Sequence, residues 1–269
     1  MGKTQKKNKS KGNTKNNTDE FTNLNIKERI IKENRSGKRP FVSVIVPTWN
    51  RRKFLPNVIN QFFYQTYPQE YMEMIIVDDS TESNLDIITK ASNIKYHHLS
   101  EKLILSEKRN YLNKLATGDI IVCFDDDDYY SPDRVTSAVK KLMSSRCLIA
   151  GSTTINIYYK ELNQIYQFGP YGANHATNGT MAYKKEYLLN HSYLSDKHVA
   201  EESHFTNSFR EPLVQIDPQN VMLCLAHSTN TVDKTQFIPK GKLTTFTLEK
   251  FFNNNNNNTE MINWIKNNV

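Results

Sequence analysis

Between residues 40 and 151 the apolar positions alternate between two rhythms. Val42-Ser43-Val44-Ile45-Val46 is a short β-branched run stopped by Pro47, the pattern of a strand. Phe54, Leu55, Val58, Ile59, Phe62 and Phe63 then recur at helical spacing, with Pro56 acceptable in a first turn. Met74-Ile75-Ile76-Val77 forms a second strand ending in Asp78-Asp79-Ser80, and a weaker one spans Ile94 to Leu99 after a short helix. Ser106 is placed to cap a helix running to Ala116 and closed by Gly118, ahead of a strand from Ile120 to Phe124. Ser131-Pro132-Asp133 supplies a cap, a first-turn proline and a first-turn acid to a helix carrying Val135, Ala138, Val139 and Leu142. Leu148-Ile149-Ala150 reads as another strand. This alternation predicts an α/β fold, a mostly parallel sheet with helices on both faces.

Composition adds less than its totals suggest. The chain of 269 residues carries a formal charge of +7, but twelve of its 35 Lys and Arg lie in residues 1–39 against four acids. The body is therefore nearly neutral, and the basicity belongs to a tail. MGKTQKKNKSKGNTKNNT holds no apolar residue after Met1, so it cannot repay the entropy of ordering and is expected to be disordered. It has no apolar core of a signal peptide, and a role in binding polyanions such as nucleic acid would rest on this arm alone. Residues 21–35 are expected to form a short helix with Phe21, Leu24, Ile30 and Ile31 on one side, able to touch the body or a membrane surface. No run approaches the ~18 apolar residues of a membrane span. Cys123, Cys147 and Cys224 are odd in number and far apart, which points to reduced cysteines in a cytosolic protein, soluble or peripherally membrane-associated. Asn178 and Asn190 begin Asn-x-Ser/Thr triplets that an Asn-rich chain produces by chance, and Asn253 to Asn258 read as a flexible loop before a last helix around Met261 to Lys266.

The chemistry sits at the strand ends. CFDDDDYY, residues 123–130, drives an apolar run into four carboxylates, which repel one another and call for a cation. Three strands end in polar clusters, Pro47-Thr48-Trp49-Asn50-Arg51, Asp78-Asp79-Ser80 and Asp125 to Asp128, and ligands of open α/β sheets bind at that edge. If the chain stays extended past Phe124, Asp125 and Asp127 share one face and Asp126 and Asp128 the other. An Asp-x-Asp pair on one face suits Mg²⁺ or Mn²⁺. A calcium loop counted from Asp125 would need Gly at 130 and Glu at 136, where Tyr130 and Thr136 stand. Gly-x-Gly-x-x-Gly and Walker-type loops are absent, and Ser80 stands where an aspartyl-phosphatase strand wants a second Asp.

Taken in order, FVSVIVPTWNRRKFL, MIIVDDSTE and SEKRNYLNKLATGDIIVCFDDDDYYSPDR resemble the family 2 glycosyltransferases with the glycosyltransferase-A fold, a Rossmann-like sheet. The resemblance covers residues 41 to about 230 and thins after 150 to NGTMAYKKEYL, AEESHF and AHSTNT. With the disordered basic tail of 1–38 set apart, it implies a nucleotide-sugar-binding half over 39–150 and an acceptor-binding half with C-terminal helices over 151–269. It implies a nucleotide-sugar donor, UDP-linked, a glycan or other hydroxyl acceptor, and Mn²⁺ or Mg²⁺ as cofactor. Pro47, Thr48, Asn50 and Arg51 match the nucleotide loop, Asp78 or Asp79 receives the nucleoside, and Arg109 offsets diphosphate charge. Asp127 is the first metal ligand, with Asp125 next, Asp126 on the ribose and His227 as a late ligand or a strand-end histidine held by backbone. In the Glu201-Glu202 pair the second acid matches the general base of inverting members, although the family has Asp there; the choice between Glu202 and Glu201 stays open. A nucleotidyltransferase or phosphohydrolase on a related sheet, and a binding module without catalysis, are the alternatives.

Overall fold

The computed structural model describes residues 39–194, 201–254 and 259–269. The basic tail and the helix expected at 21–35 lie outside the described residues. The run from Val42 is the central strand β1 (Val42–Thr48), which continues through Pro47. It pairs in parallel with β2 (Met72–Asp78) on one side and β4 (Ile120–Cys123) on the other, and β2 pairs in parallel with β3 (Ile94–His98). Every residue of β1, β2 and β4 is buried, the reason these strands read as mainly apolar runs, and the buried Glu73 of β2 accepts from Ser43 Oγ of β1 (2.5 Å). Period two sorts their side chains between two layers. Val44, Val46, Met74, Ile76 and Val122 meet α1 (Leu55–Phe63) and α3 (Arg134–Met143). Ile45, Ile75, Val77, Ile121 and Cys123 meet α2 (Leu105–Leu115) and the rings of Tyr183 and Phe205. Each large side chain so buried contributes ~1.5–3 kcal/mol.

The sheet is completed from the other part of the sequence. β9 (Ala182–Lys184) lies antiparallel between β4 and β6 (Ile149–Gly151), and β10 (Leu213–Gln215) pairs with β6, giving the order β10-β6-β9-β4-β1-β2-β3. A second sheet, ordered β12-β8-β7-β11-β5, contains β5 (Tyr129–Tyr130), β7 (Ile155–Tyr159), β8 (Gln164–Phe168), β11 (Met222–Ala226) and β12 (Lys242–Leu243). Met222, Cys224 and Ala226 face the main core, whereas Leu223 and Leu225 face α5 (Leu248–Asn254) and α6 (Thr259–Asn268).

Several local expectations change. Ser106 is not a cap: α2 starts at Leu105, because the Leu103 N–H is anchored on Asp79 Oδ2 (2.8 Å) and the chain turns helical directly after it. Gly118 does not close α2 through a left-handed turn; a side chain there would meet Ser43 N at 2.5 Å and Phe41 O at 2.8 Å. Ser131 caps a turn (its Oγ accepts the Asp133 N–H at 3.3 Å), and α3 begins only at Arg134, with the Asp133 carboxylate accepting from Thr66 Oγ1. The short helix expected before β3 is a single 3-10 turn at Leu85–Ile87. The backbone at 253 and 254 belongs to α5 rather than to a loop, while 255–258 lie outside the described residues. All three cysteines are free, Cys123 and Cys224 being buried. Among the described residues no helix is long and apolar enough to cross a membrane.

Candidate active site

The chain leaves the first sheet at Cys123 and joins the second at Tyr129, so the four acids form the turn between the sheets. It does not stay extended. Residues 126 and 127 occupy a turn, and all four carboxylates border one cavity instead of alternating between two faces. The turn is held from behind by buried Gln61 on α1. Its Nε2 donates to the Asp128 carbonyl (3.1 Å) and its Oε1 accepts the Tyr130 N–H (2.5 Å). Tyr130 stacks on Phe124 with centroids 3.9 Å apart, and its hydroxyl accepts the Asp125 N–H at 2.7 Å.

Each carboxylate has its own partners. Asp125 takes Arg109 Nη2 at 3.0 Å and is the most exposed of the four. Asp126 accepts from Thr48 Oγ1 (2.5 Å) and Arg51 Nη1 (2.8 Å). Burial pushes its pKa up despite Arg51, and neighbouring Asp127 adds to the rise. Asp127 Oδ2 receives Arg51 Nη1 (2.6 Å) and Asn230 Nδ2 (3.1 Å), with His227 Nε2 also 3.1 Å away. Burial acts upward on Asp127 too, but His227, Lys234 and Arg51 together hold it below the usual carboxylate range. Asp128 accepts the Leu225 N–H (2.8 Å), lies 3.8 Å from Lys234 Nζ, and is raised by burial.

A second group approaches the turn from the helical side. Arg109 on α2 spans two acids, giving Nη2 to Asp125 and Nε to Glu201 Oε1 at 2.8 Å, while its buried Nη1 finds no partner among the described residues. Glu201 Oε1 also accepts from Asn178 Nδ2 (2.9 Å), and Asn178 Oδ1 accepts from Tyr193 OH (2.7 Å). Glu202 opens α4 (Glu202–Phe205) and borders the same cavity. Its own backbone N–H donates to its carboxyl. Burial, and then the charge of Glu201, push it up to about 7.

Two adjoining cavities frame these groups. One of about 420 Å³ is bordered by Asp125 to Asp128, Arg109, Glu201 and Glu202, with apolar walls from Ile155, Phe168, Met222 and Phe237. The other, about 890 Å³, is bordered by Pro47, Thr48, Trp49, Asn50, Lys102 and Lys108. Arg51 and Asp126 stand on the rim common to both. Trp49 is half exposed, with Lys102 Nζ 3.0 Å from its ring centre. Asn50 adopts φ 52°, held by its N–H to Ser80 Oγ (2.6 Å), a left-handed conformation that asparagine tolerates better than most residues. Asp78 and Asp79 border neither cavity. Asp78 accepts from Ser80, Asn84 (2.7 Å) and Tyr96 (2.7 Å), and Asp79 is bound by Leu103 N–H and paired with Lys108. The Lys108 ammonium also donates to the Thr48 carbonyl at 2.9 Å.

The donor chemistry fits a hard divalent cation: Asp125 and Asp127 offer oxygen, and His227 adds an imidazole beside Asp127. Among the described residues no three such side chains converge as a ready-made cage, since Arg51 stands against Asp126 and Asp127. Sequence reasoning missed Gln61, Asn178, Asn230 and Lys234. The triplet at Asn178 did mark a residue of consequence, but as a buried anchor of Glu201.

This α/β sheet, whose strand ends gather acids, a bridging arginine and a walled cavity, has counterparts among solved structures. The solved structures it resembles include a mannosyltransferase from Pyrobaculum calidifontis in complex with GDP-Man and Mn²⁺. That likeness covers 79% of this chain and 67% of the other, at 18% identity and a TM-score of 0.58. Staphylococcus aureus TarS 1–349 in complex with UDP-GlcNAc matches over 70% and 59%, at 19% identity and a TM-score of 0.56. Both show the glycosyltransferase-A fold expected from the sequence. The family model "Glycosyl transferase family 2" matches residues 43–202, and the chain belongs to that family. Among curated relatives, the poly(ribitol-phosphate) β-N-acetylglucosaminyltransferase TarS of S. aureus is 33% identical over 101 residues, 36% of this chain and 18% of that protein. The putative teichuronic acid biosynthesis glycosyltransferase TuaG of Bacillus subtilis is 31% identical over 114 residues, 40% and 44% of the two chains. The chain thus matches less than half the length of either curated relative.

Proposed function

We propose that the protein transfers a sugar from a nucleoside diphosphate, UDP in the first instance, to a hydroxyl of a glycan or related acceptor, with inversion at the anomeric carbon. The observation that carries this reading is the single cavity bordered both by the four-acid turn and by Glu202, a carboxyl raised to about 7. The larger cavity takes the nucleoside against Trp49 and Asn50, with Lys102 and Lys108 on the same wall. Arg109, fixed by Asp125 and Glu201 on the wall of the smaller cavity, offsets the charge of the diphosphate. Asp127, Asp125 and His227 would hold Mn²⁺ or Mg²⁺, which when bound offsets charge on the leaving diphosphate.

Glu202 removes the proton of the acceptor hydroxyl as that oxygen attacks. A base serves best when its pKa lies near the working pH, and burial beside Glu201 has moved Glu202 there. Glu201 is assigned the other task, because its Oε1 is shared between Arg109 and Asn178 and fixes that arginine. Ile155, Phe168, Met222 and Phe237 give the same cavity an apolar wall against which the acceptor rests. The test is a donor screen with UDP- and GDP-sugars, with Mn²⁺ or EDTA, reading released nucleoside diphosphate. Turnover of a UDP-sugar only with the metal is expected; no release from any donor would overturn the reading.

A further inference from the structure

We propose that Arg51 is an internal counter-cation of the acidic turn, exchanged for the divalent ion when that ion binds; this rests on the metal-dependent reading above. Arg51 ties together three segments distant in sequence. Its Nη1 bonds Asp126 Oδ1 at 2.8 Å and Asp127 Oδ2 at 2.6 Å, and its Nη2 bonds the Thr229 carbonyl at 2.9 Å. The competition is for one atom. Asp127 Oδ2 already meets Arg51, His227 and Asn230 within 3.1 Å, and a carboxylate oxygen has about two lone-pair directions to offer. A cation ligated there must displace a donor, and Arg51 is the one whose charge it replaces.

The exchange also gives Arg51 a destination. Its guanidinium lies on the rim of both cavities and is 17% exposed. Released from Asp127, it faces the space assigned to the diphosphate, whose paired oxygens suit a planar fork of donors. The same release unties Thr229, and residues 229 to 231 wall the larger cavity. Metal and nucleotide should therefore bind cooperatively, each favouring the state in which Arg51 has left the turn. Metal alone must first break the bridge, which lowers its apparent affinity by the fraction of chains already open.

The experiment titrates Mn²⁺ alone, and Mn²⁺ with UDP, into the full chain and reads free Mn²⁺ by electron paramagnetic resonance. Arg51→Met should bind Mn²⁺ alone about tenfold more tightly than the native protein, the factor expected if about a tenth of chains are open. UDP should then tighten Mn²⁺ less than it does in the native protein. Arg51→Lys keeps a charge but has one nitrogen where Arg51 has two, so it cannot hold the acids and the Thr229 carbonyl at once and should also bind Mn²⁺ alone more tightly than Arg51; this variant decides the matter if Arg51→Met does not fold. Unchanged or weaker Mn²⁺ affinity in the folded variants, or an Arg51→Lys protein identical to the native one, overturns the exchange. If the native protein binds Mn²⁺ in neither condition, the metal-dependent reading fails and takes the exchange with it.

Discussion

Replacing Glu202 by Gln separates the base from everything that surrounds it. The side chain keeps its size, and its amide oxygen can still accept the residue's own backbone N–H, so folding and Mn²⁺–UDP affinity should hold. Transfer should fall by ~10²-fold or more, a barrier rise of about 2.7 kcal/mol. The native pH profile follows from the raised carboxyl. With a pKa of about 7, the ionised fraction is about a tenth at pH 6, half at pH 7 and nine tenths at pH 8. The kcat/KM should therefore rise about fivefold from pH 6 to 7 and less than twofold from 7 to 8. In the Gln variant that limb should flatten. The assay is initial-rate release of nucleoside diphosphate with acceptor present, from pH 5.5 to 8.5, beside the melting temperature of each variant. A Gln variant with near-native rate, or one that keeps the native pH limb, would refute the assignment of the base.

Asp127→Asn should remove most of the extra thermal stabilisation that Mn²⁺ gives in the presence of UDP over EDTA, because it weakens the carboxylate shared with His227. Differential scanning fluorimetry checks this, and an undiminished Mn²⁺ increment would speak against the metal role. Glu201→Gln should behave unlike Glu202→Gln: it uncouples Arg109 from its buried counter-charge and should cost about 1.5–3 kcal/mol in urea denaturation, with a smaller loss of transfer. A larger loss of transfer than Glu202→Gln would exchange the two roles. Gln61→Ala should cost about 2–6 kcal/mol by orphaning the Asp128 carbonyl and the Tyr130 N–H at ~1–3 kcal/mol each; a change within 0.5 kcal/mol would show that the turn holds itself.

The parallel core was legible because burial on both faces leaves the runs Val44–Val46, Met74–Val77 and Ile120–Cys123 apolar, with Ser43 and Glu73 the polar exceptions near the strand starts. The second sheet was mostly hidden: INIYY and QIYQF on β7 and β8 mix polar and aromatic residues, since their faces meet different surroundings. The acids at 125–128 announced themselves through their mutual repulsion, and the end of β1 bearing Pro47, Thr48 and Asn50 borders a cavity with Asp126, whereas Asp78 and Asp79 at the end of β2 border neither cavity. Their partners were another matter. Gln61 reaches a turn 67 residues away, Asn178 a glutamate 23 away, and Asn230 an aspartate 103 away. Nothing local distinguishes such a glutamine or asparagine from a solvated one. The turn at 126–127 defeated the extended-chain reading because Gln61 and Thr48, not the acids themselves, dictate the path of the backbone there.

The crossing of the acidic turn from one sheet to the other has a mechanical consequence. Its upstream end is gripped by β1 and β9 through β4, and its downstream end by β11 through β5. Four like charges on a free loop would spread apart, and a ligand would have to gather them against that pressure at every encounter. Here two ladders act as opposing jaws, and the crowding is imposed once, while the chain folds. Loosening either jaw, even at a residue that touches no ligand, should slacken the carboxylates together, so the two sheets share custody of the site's charge.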